Sequence, residues 1–251
     1  SPSGSTKYGE KMDIEFKDRD IDLDPVLTLP VGRVNLGSLE IACESEIKKS
    51  NVWGDIEEET FIETGTFYGH GIISAILKGC KDIHTVEINT DIWSGACNRI
   101  FGLAMVNKNK VPFEMYSDKD FFSVSFDDNI RISLYNGSTV DKLPLMLTRI
   151  NKKSCFWLDA HWSGKETKIK GLLEEGTDDH IKVPILQELS AIKNHRIKDH
   201  TIMIDDYHQV CGSVNGGFEE IKNNIKRINK NYKITKVKKE DQEDYIIIAK
   251  V

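Results

Sequence analysis

The sequence predicts an α/β protein whose seven-stranded, mostly parallel sheet ends in an antiparallel hairpin. From Thr60 onward, short β-rich apolar runs alternate with segments of helical periodicity, which is typical of a parallel sheet covered by helices on both faces. The last two predicted strands are joined only by the acidic stretch 240–243. This is too short for a parallel crossover, so we expect the two strands to form a hairpin. A chain of 251 residues can bury an ample core in one domain.

The individual elements follow from local pattern. The predicted strands span Thr60 to Thr64, Ile83 to Asn89, Arg131 to Gly137, Ser154 to His161, His200 to Asp206, Tyr232 to Lys239 and Tyr245 to Lys250. Apolar residues spaced by three and four between Trp93 and Ala104 predict an amphipathic helix, with Asn89 or Thr90 as its cap. A further helix is expected near Pro184, with a buried stripe formed by Ile185, Leu186, Leu189 and Ile192.

Two regions lie outside the predicted core. Residues 1–55 are interpreted as an N-terminal arm that precedes the main domain at 56–251. Residues 106–129, rich in Phe, Asp and Lys, are interpreted as an insertion. A lid or a contact in a homo-oligomer is an alternative for both regions, and an irregular loop is a further alternative for the insertion.

Composition narrows the class of protein. The net charge of −6 argues against a nucleic acid as the main substrate, because tracking phosphates needs a basic surface. No apolar run is long enough for a membrane span. Five cysteines without a Cys-x-x-Cys pair favour a reducing, cytoplasmic location, and Cys80, Cys97 and Cys155 are expected to be core residues. The basic residues of the C-terminal part are interpreted as a solvated face; they are Lys222, Lys226, Arg227, Lys230, Lys233, Lys236, Lys238 and Lys239.

A glycine-rich turn follows the first predicted strand of the main domain. The stretch 61–69 reads Phe-Ile-Glu-Thr-Gly-Thr-Phe-Tyr-Gly, and Gly71 follows. Glycine lets the backbone approach a ligand closely. Glu87 stands about twenty residues further on, at the end of the next strand, where a carboxylate can accept hydrogen bonds from both hydroxyls of a ribose. NAD is the competing ligand, although the loop lacks the Gly-x-Gly-x-x-Gly spacing that seats a pyrophosphate.

The run Glu63-x-Gly65-x-x-x-Gly69 resembles the first motif of the class I, Rossmann-like methyltransferases. The predicted antiparallel ending of the sheet also matches their architecture. The resemblance implies that S-adenosylmethionine is the cofactor and S-adenosylhomocysteine the product. The residues it implies for cofactor binding are Glu63, Thr64, Gly65, Thr66, Tyr68, Gly69, His70, Glu87, Ile88, Gly137, Ser138 and Asp159.

Two further strand ends carry acids and histidines. One reads Leu158-Asp159-Ala160-His161, and the other reads Ile204-Asp205-Asp206-Tyr207-His208. We expect Asp159, Asp205 and Asp206 to converge on one Mg²⁺ or Mn²⁺ ion, since these metals prefer oxygen ligands. For catalysis, His161 is the first candidate for the general base, with Asp159 beside it, and His208 is the reserve.

These two segments resemble the macrocin-type and mycinamicin-type sugar O-methyltransferases, over about residues 60–217. Those enzymes often carry an Asp-Gly-Asp-His run, from which Leu158-Asp159-Ala160-His161 departs in its first acid. The resemblance implies metal-assisted methylation of a hydroxyl on a sugar or nucleotide-linked sugar, in surface polysaccharide or natural-product pathways. Methylation of another small metabolite or of a protein side chain is the alternative reaction, and a non-catalytic Rossmann-like module is the alternative class.

Overall fold

The structure is a computed structural model that describes residues 33–36, 39–42, 51–127, 129–161, 183–212, 215–239 and 243–251. The strands within these ranges are β1 (Arg33–Leu36), β2 (Leu39–Ala42), β3 (Thr60–Thr64), β4 (Asp82–Glu87), β5 (Phe113–Asp118), β6 (Phe121–Phe126), β7 (Arg131–Asn136), β8 (Ser154–Leu158), β9 (Thr201–Ile204), β10 (Lys233–Lys238) and β11 (Tyr245–Lys250). The helices are α1 (His70–Leu77), α2 (Thr90–Asn107), α3 (Thr139–Arg149), α4 (Ile185–Asn194), α5 (Tyr207–Val210) and α6 (Gly217–Ile228).

In the described part of the chain, nine strands form one sheet in the order β10-β11-β9-β8-β3-β4-β7-β6-β5. The central strands β7, β4, β3, β8 and β9 are parallel to their neighbours within this group. β11 runs antiparallel to both β9 and β10, between which it lies. A parallel sheet with one reversed strand near its C-terminal edge is the Rossmann-like fold of class I methyltransferases, which confirms the fold class predicted from the sequence.

The predicted insertion contains regular structure. β5 and β6 form an antiparallel hairpin, and β6 pairs antiparallel with β7, so the sheet gains two strands beyond the seven predicted. Phe122, Val124 and Phe126 are buried while the residues between them are more exposed. This alternation is the period of a half-buried strand. The interpretation of the insertion as an irregular loop was therefore wrong.

The core covers both faces of the sheet. Helices α1 and α2 pack on one face, and α3, α4 and α6 supply apolar side chains to the other. Cys80, Cys97 and Cys155 are buried as predicted. Trp53, at the end of the predicted arm, is 1% exposed and packs against Trp157, with ring centroids 5.2 Å apart. β1 and β2 form a separate antiparallel pair.

Two predicted helix starts are confirmed. The side chain of Asn89 accepts hydrogen bonds from the backbone N–H groups of Asp91 and Ile92, at 2.9 and 3.2 Å, and so caps α2. α4 begins directly after Pro184. Among the described helices, none has the length and apolarity that crossing a membrane would require.

A buried histidine pair links the amino ends of two central strands. The N–H of Ser154 donates to Nδ1 of His200 at 3.0 Å, so the His200 proton lies on Nε2. That nitrogen is 2.9 Å from Nδ1 of His195, whose Nε2 is in turn 3.1 Å from the carbonyl oxygen of Ile150. The chain of bonds requires both rings to be neutral. Burial, together with the repulsion that a protonated His195 would add, lowers the pKa of His200 to about 4.

We expect this pair to make the fold sensitive to acid. The pKa of His200 lies below its unfolded value of 6.5. The contribution of this residue to the free energy of unfolding is therefore fully present above about pH 6.5 and is lost as the pH falls towards 4. Over the whole window the loss is about 3 kcal/mol. In His200→Gln this component is removed, and unfolding in urea from pH 7 to pH 4 should show a flatter decline than wild type. The exposed His208→Gln is the control that should leave the slope unchanged; parallel slopes for wild type and His200→Gln would refute the assignment.

Candidate active site

The candidate site lies at the carboxyl edge of the parallel strands, where ligands bind in open α/β sheets. Because β3, β4, β7, β8 and β9 all run in the same direction, the segments that follow them emerge at this one edge. The glycine loop follows β3, Glu87 ends β4, Asp159 follows β8 and Asp205 follows β9. The sequence therefore predicted correctly which segments meet.

The glycine loop is a tight turn held by the neighbouring strand. The N–H groups of Gly65 and Thr66 both donate to the carbonyl oxygen of Val86, at 2.9 and 3.1 Å. Gly65 has φ +81°, and a Cβ there would lie 2.5 Å from the backbone oxygen of Asp159. Glycine is thus required at this position by conformation and by space. The loop and the end of β8 are in direct contact.

Glu63 lies beneath the loop and is fully buried. Its Oε2 accepts a hydrogen bond of 2.9 Å from the hydroxyl of Thr85. Its Oε1 occupies the space that a side chain at Gly71 would need, since a Cβ there would fall 1.7 Å away. The carboxylate of Glu63 consequently sits against the first turn of α1, where helix N–H groups favour a negative charge.

Glu87 is 5% exposed and faces the underside of the loop. Its Oε2 accepts from the N–H of Phe67 and its Oε1 from the N–H of Asn89, both at 2.9 Å. Burial raises the pKa of Glu87, against the opposing effect of these backbone donors. Phe67 itself has a left-handed φ of 49°, which is uncommon outside glycine.

The other residues predicted for cofactor binding fall into two groups. Thr64 and Thr66 are buried and make internal hydrogen bonds, Thr64 to the N–H of Asp159 and Thr66 to the hydroxyl of Thr85. These internal hydrogen bonds stabilise the glycine turn. Tyr68 is 42% exposed beside Gly69 and reaches the molecular surface. Ile88 is partly buried.

The outer parts of the predicted site show two further features. His70 lies with Nδ1 3.2 Å from the guanidinium of Arg99, which also donates to the carbonyl of Tyr68. Arg99 was not among the predicted site residues. The N–H of Gly137 donates to the carbonyl of Glu87 at 2.9 Å. The hydroxyl of Ser138 accepts from the N–H of Val140 and caps α3.

His161 bridges two carboxylates. Its Nδ1 is 3.1 Å from Oδ1 of Asp159 and its Nε2 is 2.6 Å from Oδ2 of Asp206. Burial would lower the pKa of His161, but the hydrogen bonds and charges of the two acids outweigh it and raise the pKa to about 10. The same bond to His161 holds the pKa of Asp206 well below its usual range. At neutral pH the ring is therefore an imidazolium between two carboxylates.

Lys239 joins the predicted acids from the far side. Its ammonium forms ion pairs with Asp205 and, at 2.6 Å, with Oδ1 of Asp206. The side chain is only 12% exposed, so the interpretation of Lys239 as part of a solvated face was wrong. Burial and the charges of Asp159 and Asp206 raise the pKa of Asp205 to about 6. Of the three acids predicted to bind metal, Asp159 and Asp206 each have a carboxylate oxygen close to a ring nitrogen of His161. These three atoms all lie within 4.8 Å of one another.

His208, the reserve candidate for the base, lies apart from Asp159, His161 and Asp206. His208 has a 64% exposed side chain, with Nε2 3.9 Å from Asp244. Its ring lies against Tyr207 and Tyr245. Trp157 is 2% exposed, and its Nε1 donates to Oδ2 of Asp159 at 3.2 Å. Trp157 thus orients an acid of the site from within the core.

Glu188 is a site residue that the sequence interpretation missed. It lies in the first turn of α4, is 2% exposed and lines a small pocket together with Asp159 and His161. Burial raises its pKa to about 7, against the effect of the nearby hydroxyls of Thr64 and Thr139. Among the described residues, its Oε1 has no hydrogen-bond partner. The signal was present in the sequence, because Glu188 falls at helical spacing inside the buried stripe of α4.

Comparison with known proteins gives structural similarity at low identity. No protein-family model matches the chain, and no curated protein matches it. Similar solved structures include the O-methyltransferase from Bacillus cereus in complex with SAH, at 12% identity and a TM-score of 0.46, over 84% of this chain and 92% of that one. The O-methyltransferase TomG from Streptomyces achromogenes, in complex with SAM, has 11% identity and a TM-score of 0.47, over 84% and 81%. The ribosomal protein L11 methylase from Lactobacillus delbrueckii subsp. bulgaricus has 14% identity and a TM-score of 0.42, over 82% and 76%.

We expect Glu188 to make stability depend on pH in the direction opposite to His200. The pKa of Glu188, about 7, exceeds the reference value of 4.5. Its contribution to the free energy of unfolding is therefore fully present below about pH 4.5 and is lost as the pH rises through 7. Glu188→Gln should therefore gain stability relative to wild type between pH 5 and pH 8, by up to about 3 kcal/mol. Urea unfolding at the two pH values measures this. Glu219→Gln, which removes an exposed carboxylate, should give a constant difference; a constant difference for Glu188→Gln would contradict the raised pKa.

Proposed function

We propose that this protein is an S-adenosylmethionine-dependent methyltransferase. One observation carries the proposal: at the carboxyl edge of β3, β4 and β8, a glycine turn lies between the buried carboxylate of Glu87 and the backbone of Asp159. Glu87 stands where a carboxylate can accept hydrogen bonds from a ribose. The turn provides a close backbone approach for the rest of the ligand.

The charge of the site favours this cofactor over a dinucleotide. In dinucleotide-binding folds the pyrophosphate sits at the N-terminus of the helix that follows the glycine loop. In this chain the carboxylate of Glu63 is packed against that first turn, beside Gly71. An anion already in place repels a pyrophosphate. The sulfonium and ammonium groups of S-adenosylmethionine are cations, which the nearby acids Glu63, Glu87 and Asp159 attract.

We propose further that the reaction is O-methylation. Transfer to a hydroxyl breaks the S–CH₃ bond, forms an O–CH₃ bond and releases S-adenosylhomocysteine, while the hydroxyl proton needs an acceptor. The array of Asp159, His161 and Asp206 offers one, next to the glycine turn. His161 is the proposed base once it has lost a proton. Asp159 touches both the loop at Gly65 and the imidazole, and so links cofactor and base.

The acceptor that we propose is a hydroxyl of a sugar or a nucleotide-linked sugar. Support comes from the carboxylate-rich array, because carboxylates accept hydrogen bonds from neighbouring sugar hydroxyls. Another small metabolite or a protein side chain would use the same cofactor site, and a screen of acceptors separates these cases. The ring of Trp162, which follows His161 in the sequence, could stack on the apolar face of a sugar, but this residue lies outside the described residues.

The cofactor assignment is tested by calorimetry. We expect S-adenosylhomocysteine to bind with a micromolar dissociation constant and Glu87→Gln to weaken it by about 10- to 100-fold, the effect of losing a charged hydrogen-bond acceptor. Asp91→Asn, which removes an exposed acid two residues beyond the cap of α2, is the matched control with unchanged affinity. NAD titrated under the same conditions should not bind. Absence of S-adenosylhomocysteine binding by wild type would overturn the proposal.

The base assignment is tested by turnover. In His161→Ala we expect kcat to fall by about 10²- to 10⁴-fold with S-adenosylhomocysteine affinity retained. Because the pKa of His161 is raised to about 10, wild-type kcat should rise between about pH 7 and about pH 9. Formation of S-adenosylhomocysteine from a panel of sugar nucleotides gives the rates. Full activity in His161→Ala with loss in His208→Ala would transfer the role to His208.

A further inference from the structure

We propose that Lys239 supplies the positive charge for which the sequence predicted a divalent metal ion. In this arrangement Lys239 is a positioning residue: it holds Asp205 and Asp206 so that Asp206 faces His161. The catalytic meaning of this rests on the proposed function. Whether the protein has a metal site is independent of the proposed function and can be measured separately.

The lysine is built into the array. Its ammonium pairs with Oδ1 of Asp205 and with Oδ1 of Asp206, and both side chains of the Lys239–Asp205 pair are nearly buried, at 12% and 13% exposure. The backbone N–H of Lys239 donates to the carbonyl of Asp244 at 3.0 Å, which fixes the residue at the turn between β10 and β11. Pairing with the two acids raises the pKa of Lys239 to about 12, so the ammonium stays charged.

Both oxygens of Asp159 and the second oxygen of Asp206 also have donors. His161 holds Oδ2 of Asp206 and Oδ1 of Asp159, at 2.6 and 3.1 Å. Trp157 donates to Oδ2 of Asp159, and the N–H of Asp206 donates to Oδ1 of Asp205 at 2.8 Å. Since both ring nitrogens of His161 point at carboxylates, both carry protons, whereas a metal ligand must offer a lone pair.

The donor set therefore does not fit a resident divalent cation. Asp159, His161 and Asp206 are close enough together to surround one. An ion at that position would have to displace the imidazole from two carboxylates, and it would lie beside the ammonium of Lys239. The carboxylates of Asp159, Asp205 and Asp206 already face two cations, His161 and Lys239. Little negative charge therefore remains to attract a further cation. Repulsion between like charges at such short distances in a partly buried site disfavours the bound ion.

Lys239 also stabilises an unfavourable backbone conformation at Asp206. Asp206 has φ 48° and ψ 61°, a left-handed conformation that is unfavourable for a non-glycine residue. Its two carboxylate oxygens are held from opposite sides by Lys239 and His161. These two bonds offset the cost and aim Oδ2 at the imidazole. Removal of the lysine leaves Asp205 without a counter-ion and leaves Asp206 paired with His161 alone.

The experiment is titration with MnCl₂, followed by electron paramagnetic resonance of the free ion and by calorimetry. Wild type should show no stoichiometric site tighter than about 1 mM. Lys239→Met removes the internal cation and should gain one site, at least about tenfold tighter, because the freed carboxylates are preferred Mn²⁺ ligands. Lys236→Met is the matched control, since Lys236 lies three residues earlier on β10 with its ammonium over the rings of Tyr207 and Tyr245, and it should gain no site.

Two results would overturn the proposal: a stoichiometric Mn²⁺ site in wild type, or no gain of a site in folded Lys239→Met. Thermal unfolding establishes that the variants are folded, and Lys239→Gln serves as the second neutral variant. Lys239→Arg, which keeps the charge, should behave as wild type. The titration contains no methyl donor, so failure of the cofactor assignment leaves its outcome intact, and the reverse holds for the calorimetry with S-adenosylhomocysteine.

Discussion

The parallel pairing of β3 with β4 on one side and β8 on the other is the constraint on which the site depends. All five residues of β3 are buried, and so are those of β8. Hydrogen bonds of the ladder continue past the strand ends: Gly65 donates to the carbonyl of Val86, and Asp159 donates to the carbonyl of Thr64. The glycine loop and the first acid of the array are thus extensions of the sheet. Their relative position is fixed by the core, because shifting either segment would shift a central strand.

Each acid at this edge is stabilised in a different way, because an isolated buried carboxylate is very unfavourable. Glu87 accepts hydrogen bonds from backbone N–H groups of Phe67 and Asn89. Asp159 and Asp206 share the imidazolium of His161. Glu188, which is also buried, has its pKa raised to about 7, so that at neutral pH it is partly protonated. With each acid stabilised in this way, the carboxyl edge of the sheet keeps a net negative charge. Such a charge attracts a cationic ligand.

Local patterns allowed much of this to be predicted. The five parallel strands, the glycine turn and the acid-bearing strand ends each depend on residues close together in sequence, and parallel strands necessarily bring their ends to one edge. Lys239 could not be predicted in this way, because in sequence it follows other lysines and precedes an acidic stretch, while its partners are 33 and 34 residues away. The β5–β6 hairpin was missed although its alternation of Phe122, Val124 and Phe126 was visible, since its polar positions suggested a loop. Glu188 was missed because a buried helical stripe is recognised by its apolar residues, and a carboxylate within it is the exception.

The reversed strand β11 explains why a lysine reaches the acids at all. Because β11 is antiparallel to both neighbours, β10 runs in the same direction as β9, and its last residues arrive at the same edge as Asp205 and Asp206. β10 is the next strand but one from β9, about 10 Å away at the usual strand spacing. A side chain must therefore be long to cross over the end of β11, and it must be cationic to pair with two acids. Lysine and arginine meet both conditions, whereas a short residue at 239 fails the first and a neutral residue fails the second. If a sixth parallel strand were placed beside β9, as in dinucleotide-binding folds, this edge would have no hairpin turn from which such a residue could extend.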